Sequence, residues 1–311
     1  MKAMIKGVSR TRGLIVSKIR HISETTNNDS ILTLTLQMLL LIFLMYMNDN
    51  GYLSIFMPVI LIPGILFKVV REHPYYWTLI ACMASTFYLV LDLVGYVPNH
   101  KHIFAFIIIA VTIAMFLKEK IHPLRFLNTQ SRLIIGFCFL FATIGKFMAS
   151  EFLDGSFFEF TNTTDPRFFG FSSLMGKVDL NLLIENEENL RLLLKTNDPK
   201  TSFLVNGVDN IRGFGMLISY WTIFIEGMIA ISFCLPRNFL LSKYRNVFLV
   251  TFILTTYPIA TVTGFAIILT VLGFIQSLED HKLTMFSWFY LFVFIFLPLN
   301  YFPFARLLAL F

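Results

Sequence analysis

Long apolar runs separated by short polar connections dominate the chain. They fall at roughly Ile31–Met47, Gly51–Val70, Tyr75–Val97, His102–Leu117, Leu133–Ala149, Phe214–Leu235, Val247–Ile275 and Met285–Phe304. A bilayer core takes about 20 residues of helix. The pattern therefore predicts an all-α, polytopic helical membrane protein with about eight transmembrane helices. Closed barrels show short alternating segments instead, and none is evident. Val247–Ile275 is long for one crossing, and Pro258 and Gly264 are its candidate break points, so roughly seven to nine spans fit. The expected organisation is a basic segment over 1–30, helices over 31–149, a polar insert over 150–213 and further helices over 214–311.

The insert opens with aromatic residues, Phe157, Phe158, Phe160, Phe168, Phe169 and Phe171. Asp165-Pro166 marks a turn. Leu180, Leu183, Ile184, Leu190, Leu193 and Leu194 have helical spacing on either side of the acidic stretch Glu185–Asn189. A segment of this size makes a marginal core unaided. It is expected to lie as a cap on the membrane surface. Asn162-Thr163-Thr164 matches a glycosylation sequon, a short and common pattern with little weight.

Composition agrees with the pattern: 56% of residues are hydrophobic and 14% charged, against about 45–50% and 25% in soluble domains. The net charge of +6 sits in short patches beside the apolar runs, which argues for membrane topology and against nucleic acid as a partner. More basic and less basic connections alternate along the chain. The positive-inside rule then puts both termini in the cytoplasm and the insert on the exoplasmic side. The basic, partly amphipathic N-terminal segment is expected to rest on the cytoplasmic leaflet of the bilayer. No cleavable signal is evident, so the first run reads as a retained helix. Cys82, Cys138 and Cys234 lie inside apolar runs and read as buried small hydrophobes. There is no metal-ligand spacing, no phosphate-binding glycine loop and no nucleophile–base arrangement.

A few polar residues interrupt the runs. Lys146 stands near the outer end of the fifth, followed by Asp154-Gly155. A lysine at a span margin either snorkels to the headgroups or has a function. Asn99 and His100 open the fourth span at a similar expected depth, and acid–base work or a plain turn and helix cap are both open. Glu226 lies inside the sixth span with no basic residue nearby in sequence, and is expected to be protonated or paired within the bundle. Asp92 lies toward the outer end of the third span and could pair with Lys146 or reach the interface.

The order Asn99-His100 with Ile103-Phe104, then Leu124-Arg125-Phe126, then Lys146, then Glu151-Phe152-Leu153-Asp154-Gly155 resembles the membrane domain of vitamin K-dependent γ-glutamyl carboxylase and its bacterial relatives, the horizontally transferred transmembrane (HTTM) family. The resemblance covers roughly Tyr75–Ile275. It implies a bacterial cell-membrane protein with a quinone, such as vitamin K hydroquinone, or another isoprenoid lipid in an exoplasmic-facing pocket. Lys146 would be the general base of carboxylase-like, quinol-coupled lyase chemistry, with His100 and Asn99 beside it. Glu226, Tyr257, Phe157 and Phe158 are the candidate substrate-binding residues. Tyr257 is the polar aromatic nearest to where the family often has a histidine, in FILTTYPIATVTGF. Some relatives look like maturation factors for secreted peptides. A non-enzymatic membrane partner of a secreted peptide or protein is therefore the alternative.

Overall fold

The computed structural model describes residues 28–46, 51–94, 99–196, 205–206, 211–260, 262–279 and 282–297, with backbone alone at 28, 51–56, 87–94 and 99. The basic N-terminal segment, the end of the last apolar run and the side chains of Asp92 and Asn99 lie outside the described residues. Every regular element among the described residues is helical; an isolated bridge joins Glu279 and Lys282. The chain divides into two compact units, Met1–Ile134 with Gly264–Phe311, and Ile135–Thr263.

The first unit contains α1 (Asn28–Tyr46), α2 (Gly51–Leu66), the short α3 (Lys68–Arg71), α4 (Pro74–Val94), α5 (Asn99–Phe116) and the start of α6 (Pro123–Met148). Proline at the first position of α4 and α6 fits a helix start, where no N–H partner is needed. After the second unit come α14 (Thr263–Ser277) and α15 (Met285–Phe296), labelled in chain order. α14 is apolar on all sides, and Ala266 through Ser277 are all buried. Such a helix belongs in the interior of its unit. Gly273 leaves room there for the ring of Tyr290. α4 pairs with α5, where the Thr112 hydroxyl donates to the Trp77 carbonyl at 3.0 Å. α15 starts with a capping box: Thr284 Oγ1 accepts from Ser287 N at 3.2 Å, and Ser287 Oγ accepts from Thr284 N at 2.5 Å.

The second unit holds the rest of α6, then α7 (Ser150–Leu153), α8 (Ser156–Thr164), a 3-10 turn (Pro166–Phe168), α9 (Phe169–Gly176), α10 (Leu180–Thr196), α11 (Arg212–Cys234), α12 (Leu240–Lys243) and α13 (Arg245–Thr256). α11 packs against α8 and α13. Its buried stripe, Gly215, Ile218, Thr222, Ile225, Glu226, Ile229 and Phe233, has helical spacing. α10 runs unbroken through the acidic stretch, burying Leu183 and Asn186. Asn186 fastens the insert, donating to the carbonyls of Thr163 at 3.2 Å and Asn206 at 2.9 Å and accepting from Asn206 N at 3.1 Å.

Three helices among the described residues are long and apolar enough to cross a membrane: α1 from Asp29, α6 and α11. One of the other apolar runs falls short for a visible reason. The Val247–Ile275 run divides where Pro258 withholds an N–H and its ring crowds the preceding turn, leaving α13 with 12 residues and α14 with 15. At 1.5 Å per residue, a 12-residue helix is about 18 Å long, against about 30 Å of hydrocarbon. One further expectation is corrected. Cys82 and Cys234 are exposed and Cys138 is half-buried, because outward apolar positions of a lipid-facing helix are as hydrophobic as inward ones. The sequon residue Asn162 is fully buried within α8, where an attached sugar has no room.

Candidate functional site

The buried stripe of α6, Ile135, Phe139 and Thr143, continues one turn further to Lys146. α6 and α11 approach in opposite directions, Gly136 beside Phe233 and Cys234 and Gly227 beside Thr143. That register brings Lys146 level with Glu226. The Lys146 ammonium donates to Glu226 Oε2 in a close ion pair. The two side chains are 15% and 8% exposed, so the pair is largely withdrawn from solvent. Two buried opposite charges each lose hydration, and the pairing offsets that loss. Lys146 Nζ also lies 5.4 Å from the centroid of the Phe152 ring, within cation–π range.

The pair faces a cavity of about 220 Å³. Phe152, Phe157, Phe158, Phe168, Ile218, Trp221, Ile259 and Ala260 supply apolar wall, and Thr222, Thr255 and Thr256 bring hydroxyls. Phe152 stacks on Phe157 at 4.2 Å, and Phe158 stands edge-on to both. Trp221 Nε1 donates to Thr255 Oγ1 at 3.0 Å, and the Thr255 hydroxyl donates to the Thr251 carbonyl at 2.8 Å. The Thr222 hydroxyl donates to the Ile218 carbonyl at 2.7 Å. These hydroxyl protons are engaged by their own helices, so the remaining lone pairs can only accept. The Lys146–Glu226 pair is the charged group of the wall.

The turn after α6 sets the aromatic wall. Asp154 Oδ1 accepts from Ser156 N at 2.9 Å, which starts α8. Gly155 has φ +83°, a left-handed conformation that suits glycine. A side chain at Gly155 would strike Met216, and one at Gly215 would strike Glu159 and the Gly155 carbonyl. Paired glycines thus let this turn lie against the backbone of α11. Ser219 Oγ donates to the Phe152 carbonyl there, holding the ring beside Lys146. Outside the spans, the Ser156 hydroxyl and N–H hold the Asp154 carboxyl below its usual range. Burial pushes the Asp165 carboxyl up, but hydrogen bonds and charge from Arg167 outweigh it and the net displacement is downward.

Of the residues singled out from sequence, Lys146, Glu226, Phe157 and Phe158 meet at this cavity. Tyr257 is not in the cavity wall. Its ring stands edge-on to Phe252 at 6.2 Å, and its buried hydroxyl has no hydrogen-bond partner among the described residues. His100 belongs to the first unit, where its ring lies 5.4 Å from that of Tyr46. The Tyr46 hydroxyl donates to the Gly264 carbonyl at 2.6 Å, and a side chain at 264 would run into the His100 imidazole. Asn99 opens α5 in the same unit. Sequence reasoning missed Phe152, Trp221, Thr222, Thr255 and Thr256. A signal existed for one of them, since Ile218, Thr222 and Glu226 are successive four-residue steps on one face of α11. Among the described residues no group of three His, Cys, Asp or Glu side chains is placed to hold a metal ion. Set against known proteins, the chain matches no protein-family model, no curated protein and no solved structure.

Proposed function

We propose that this chain is an integral membrane protein whose second unit binds the head group of a quinone or other isoprenoid lipid and moves a proton to or from it. The observation that carries this reading is the buried Lys146–Glu226 pair set in a wall of aromatic rings. Apolar walls with one or two polar groups suit a hydrophobic ligand with a small polar head. A bound quinol would supply an acidic hydroxyl and two-electron redox chemistry.

The Lys146 ammonium donates one proton toward Glu226 Oε2 in their hydrogen bond. The pair takes up a second proton from a hydroxyl docked against Lys146 by ending as ammonium and carboxylic acid. Lys146 is then the base toward the ligand, Glu226 stores the proton, and the retained ammonium stabilises the charge left on the ligand oxygen. The aromatic wall excludes water and strengthens these interactions. The alternation of basic connections supports cytoplasmic termini, about eight crossings and an insert on the outer side.

The test is lipid mass spectrometry on the full chain purified in mild detergent, wild type beside Lys146→Met and Ile218→Trp. A stoichiometric quinone-type lipid in the wild type, lost from both variants, is the expected result. Identical bulk lipids in all three would overturn the reading. A second reading, a membrane partner or maturation factor for a secreted peptide, is favoured by apolar side chains exposed on the insert, Leu174 at 78% and Leu194 at 71%. The same preparations decide it, because it requires a stoichiometric co-purified polypeptide and bulk lipid alone.

A further inference from the structure

The helix α8 carries its polar and apolar sides in reverse. From it we infer that the open side of the cavity faces the acyl chains of the bilayer, so that the ligand enters from lipid and not from water; the identity of that ligand rests on the reading given above. The outward residues of α8 include Phe157 and Phe160, 37% and 44% exposed. Its buried residues include Asn162, Thr163 and Thr164. A helix on a water-facing surface shows the opposite arrangement, with rings inward and polar groups outward. The inward groups are satisfied by protein. The Ser172 hydroxyl donates to the Asn162 carbonyl at 2.6 Å, and the Asn186 amide to the Thr163 carbonyl at 3.2 Å. The Thr163 and Thr164 hydroxyls donate to the carbonyls of Glu159 at 2.9 Å and Phe160 at 2.7 Å. The rings left outside are stable where the medium is itself apolar.

This face is also the mouth of the cavity. Phe157 is the most exposed residue of the cavity wall. The other rings that the insert contributes, Phe158 and Phe168, are buried with Ile218 and Ala260 beneath Phe171 and Phe214, which closes that part of the wall. Phe157 stacks on Phe152, whose ring lies beside Lys146, so the outward rings of α8 adjoin the end of α6. There Ile144, Phe147 and Met148 are exposed, as is Leu153 of α7. α6 is long and apolar enough to cross a membrane, and its outward side chains meet acyl chains. The exposed rings of α8 continue that surface. Glu151 and Asp154 are exposed at the same turn. Carboxylates belong at the headgroup level, which places the mouth at the rim of the hydrocarbon layer and not at its centre.

The experiment is fluorescence quenching of the full chain in phosphatidylcholine vesicles. Acyl chains brominated near the headgroup end are the lipid-borne quencher, and iodide is the aqueous one. Phe157→Trp and Phe160→Trp each place an indole on the outward face of α8. Glu188→Trp places one on the exposed acidic stretch of α10 as the water-facing comparison. Emission is read as the increment over wild type. The brominated chains should remove most of the increment at 157 and 160 and little of that at 188, and iodide should do the reverse. The two positions on α8 keep the test open should one variant not fold. Iodide quenching at 157 and 160 equal to that at 188 overturns the inference and makes the mouth aqueous. Protection of both positions from both quenchers also overturns it, and assigns the face to a protein cover such as a second copy of the chain. No quinone enters the measurement, so a lipid-facing mouth stands or falls separately from the quinone reading.

Discussion

In the first unit, buried Arg71 donates through Nη1 to the carbonyls of Gly64 at 2.8 Å and Ile65 at 2.7 Å, the orphan end of α2. Asn128 does the same for α14, its amide nitrogen 3.0 Å from the carbonyls of Ile275, Gln276 and Leu278. In the second unit, Lys146 donates to Glu226, and neither of them caps a helix. The difference separates two reasons for burying a polar side chain. Arg71 and Asn128 satisfy backbone groups that would otherwise lose water without replacement. Lys146 and Glu226 solve a problem that they create for each other, and they solve it at the wall of a cavity. A pair of that kind costs desolvation without completing the fold, and its position beside open volume suits it to a ligand.

Removing one partner from each region should sharpen the contrast. Lys146→Met leaves the Glu226 carboxyl buried and unpaired and should cost about 3–5 kcal/mol, read as thermal unfolding in detergent. The double change Lys146→Met with Glu226→Leu should recover most of that loss, because an apolar pair fills the space without a stranded charge. A loss below about 1 kcal/mol in the single variant would mean that the two charges behave as solvated surface groups. Asn128→Ala should cost about 1–3 kcal/mol, since it leaves buried carbonyls without a donor. It should leave the bound lipid unchanged; a variant that loses lipid in proportion to Lys146→Met would erase the distinction between the regions.

The smallest effect belongs to an exposed pair, Asp165 with Arg167. Its Asp165 carboxyl is displaced below the ordinary value of 3.8, so its contribution is present above that pH and disappears as pH falls through the lower folded value. Solvent screening holds such a pair to about 0.5 kcal/mol. Measured as unfolding midpoint against pH, wild type should lose this increment at the acid end, and Asp165→Asn should lack it throughout. Equal acid sensitivity in both proteins would assign the midpoint shift to other carboxyls.

Much of this contrast was legible along the chain, and some of it was not. Lys146 stood out because a cation at the end of an apolar run is costly, and Glu226 for the same reason inside its own run. Their pairing was hidden by a sequence separation of 80. The Asp154-Gly155 pair was visible as a motif, but Gly215, the glycine that makes room for it, lies on another helix. Tyr257 was a substrate-binding candidate as the polar aromatic nearest to where the resembled family often has a histidine. The cavity instead takes the preceding Thr255 and Thr256, since helix rotation decides which of three adjacent side chains faces inward. Hydrophobicity alone misplaced the cysteines, because lipid and protein interior attract the same residue types.

The sequence by itself determined that the chain is helical, that apolar helices dominate it, and which few polar residues stand inside them. Those properties follow from local periodicity and from the cost of exposing backbone in an apolar medium. Tertiary structure decided that Lys146 meets Glu226, that six-membered aromatic rings wall the space in front of them, and that the space is about 220 Å³. These depend on the register of α6 against α11 and on side-chain packing across distant segments, which hydrophobic pattern does not encode.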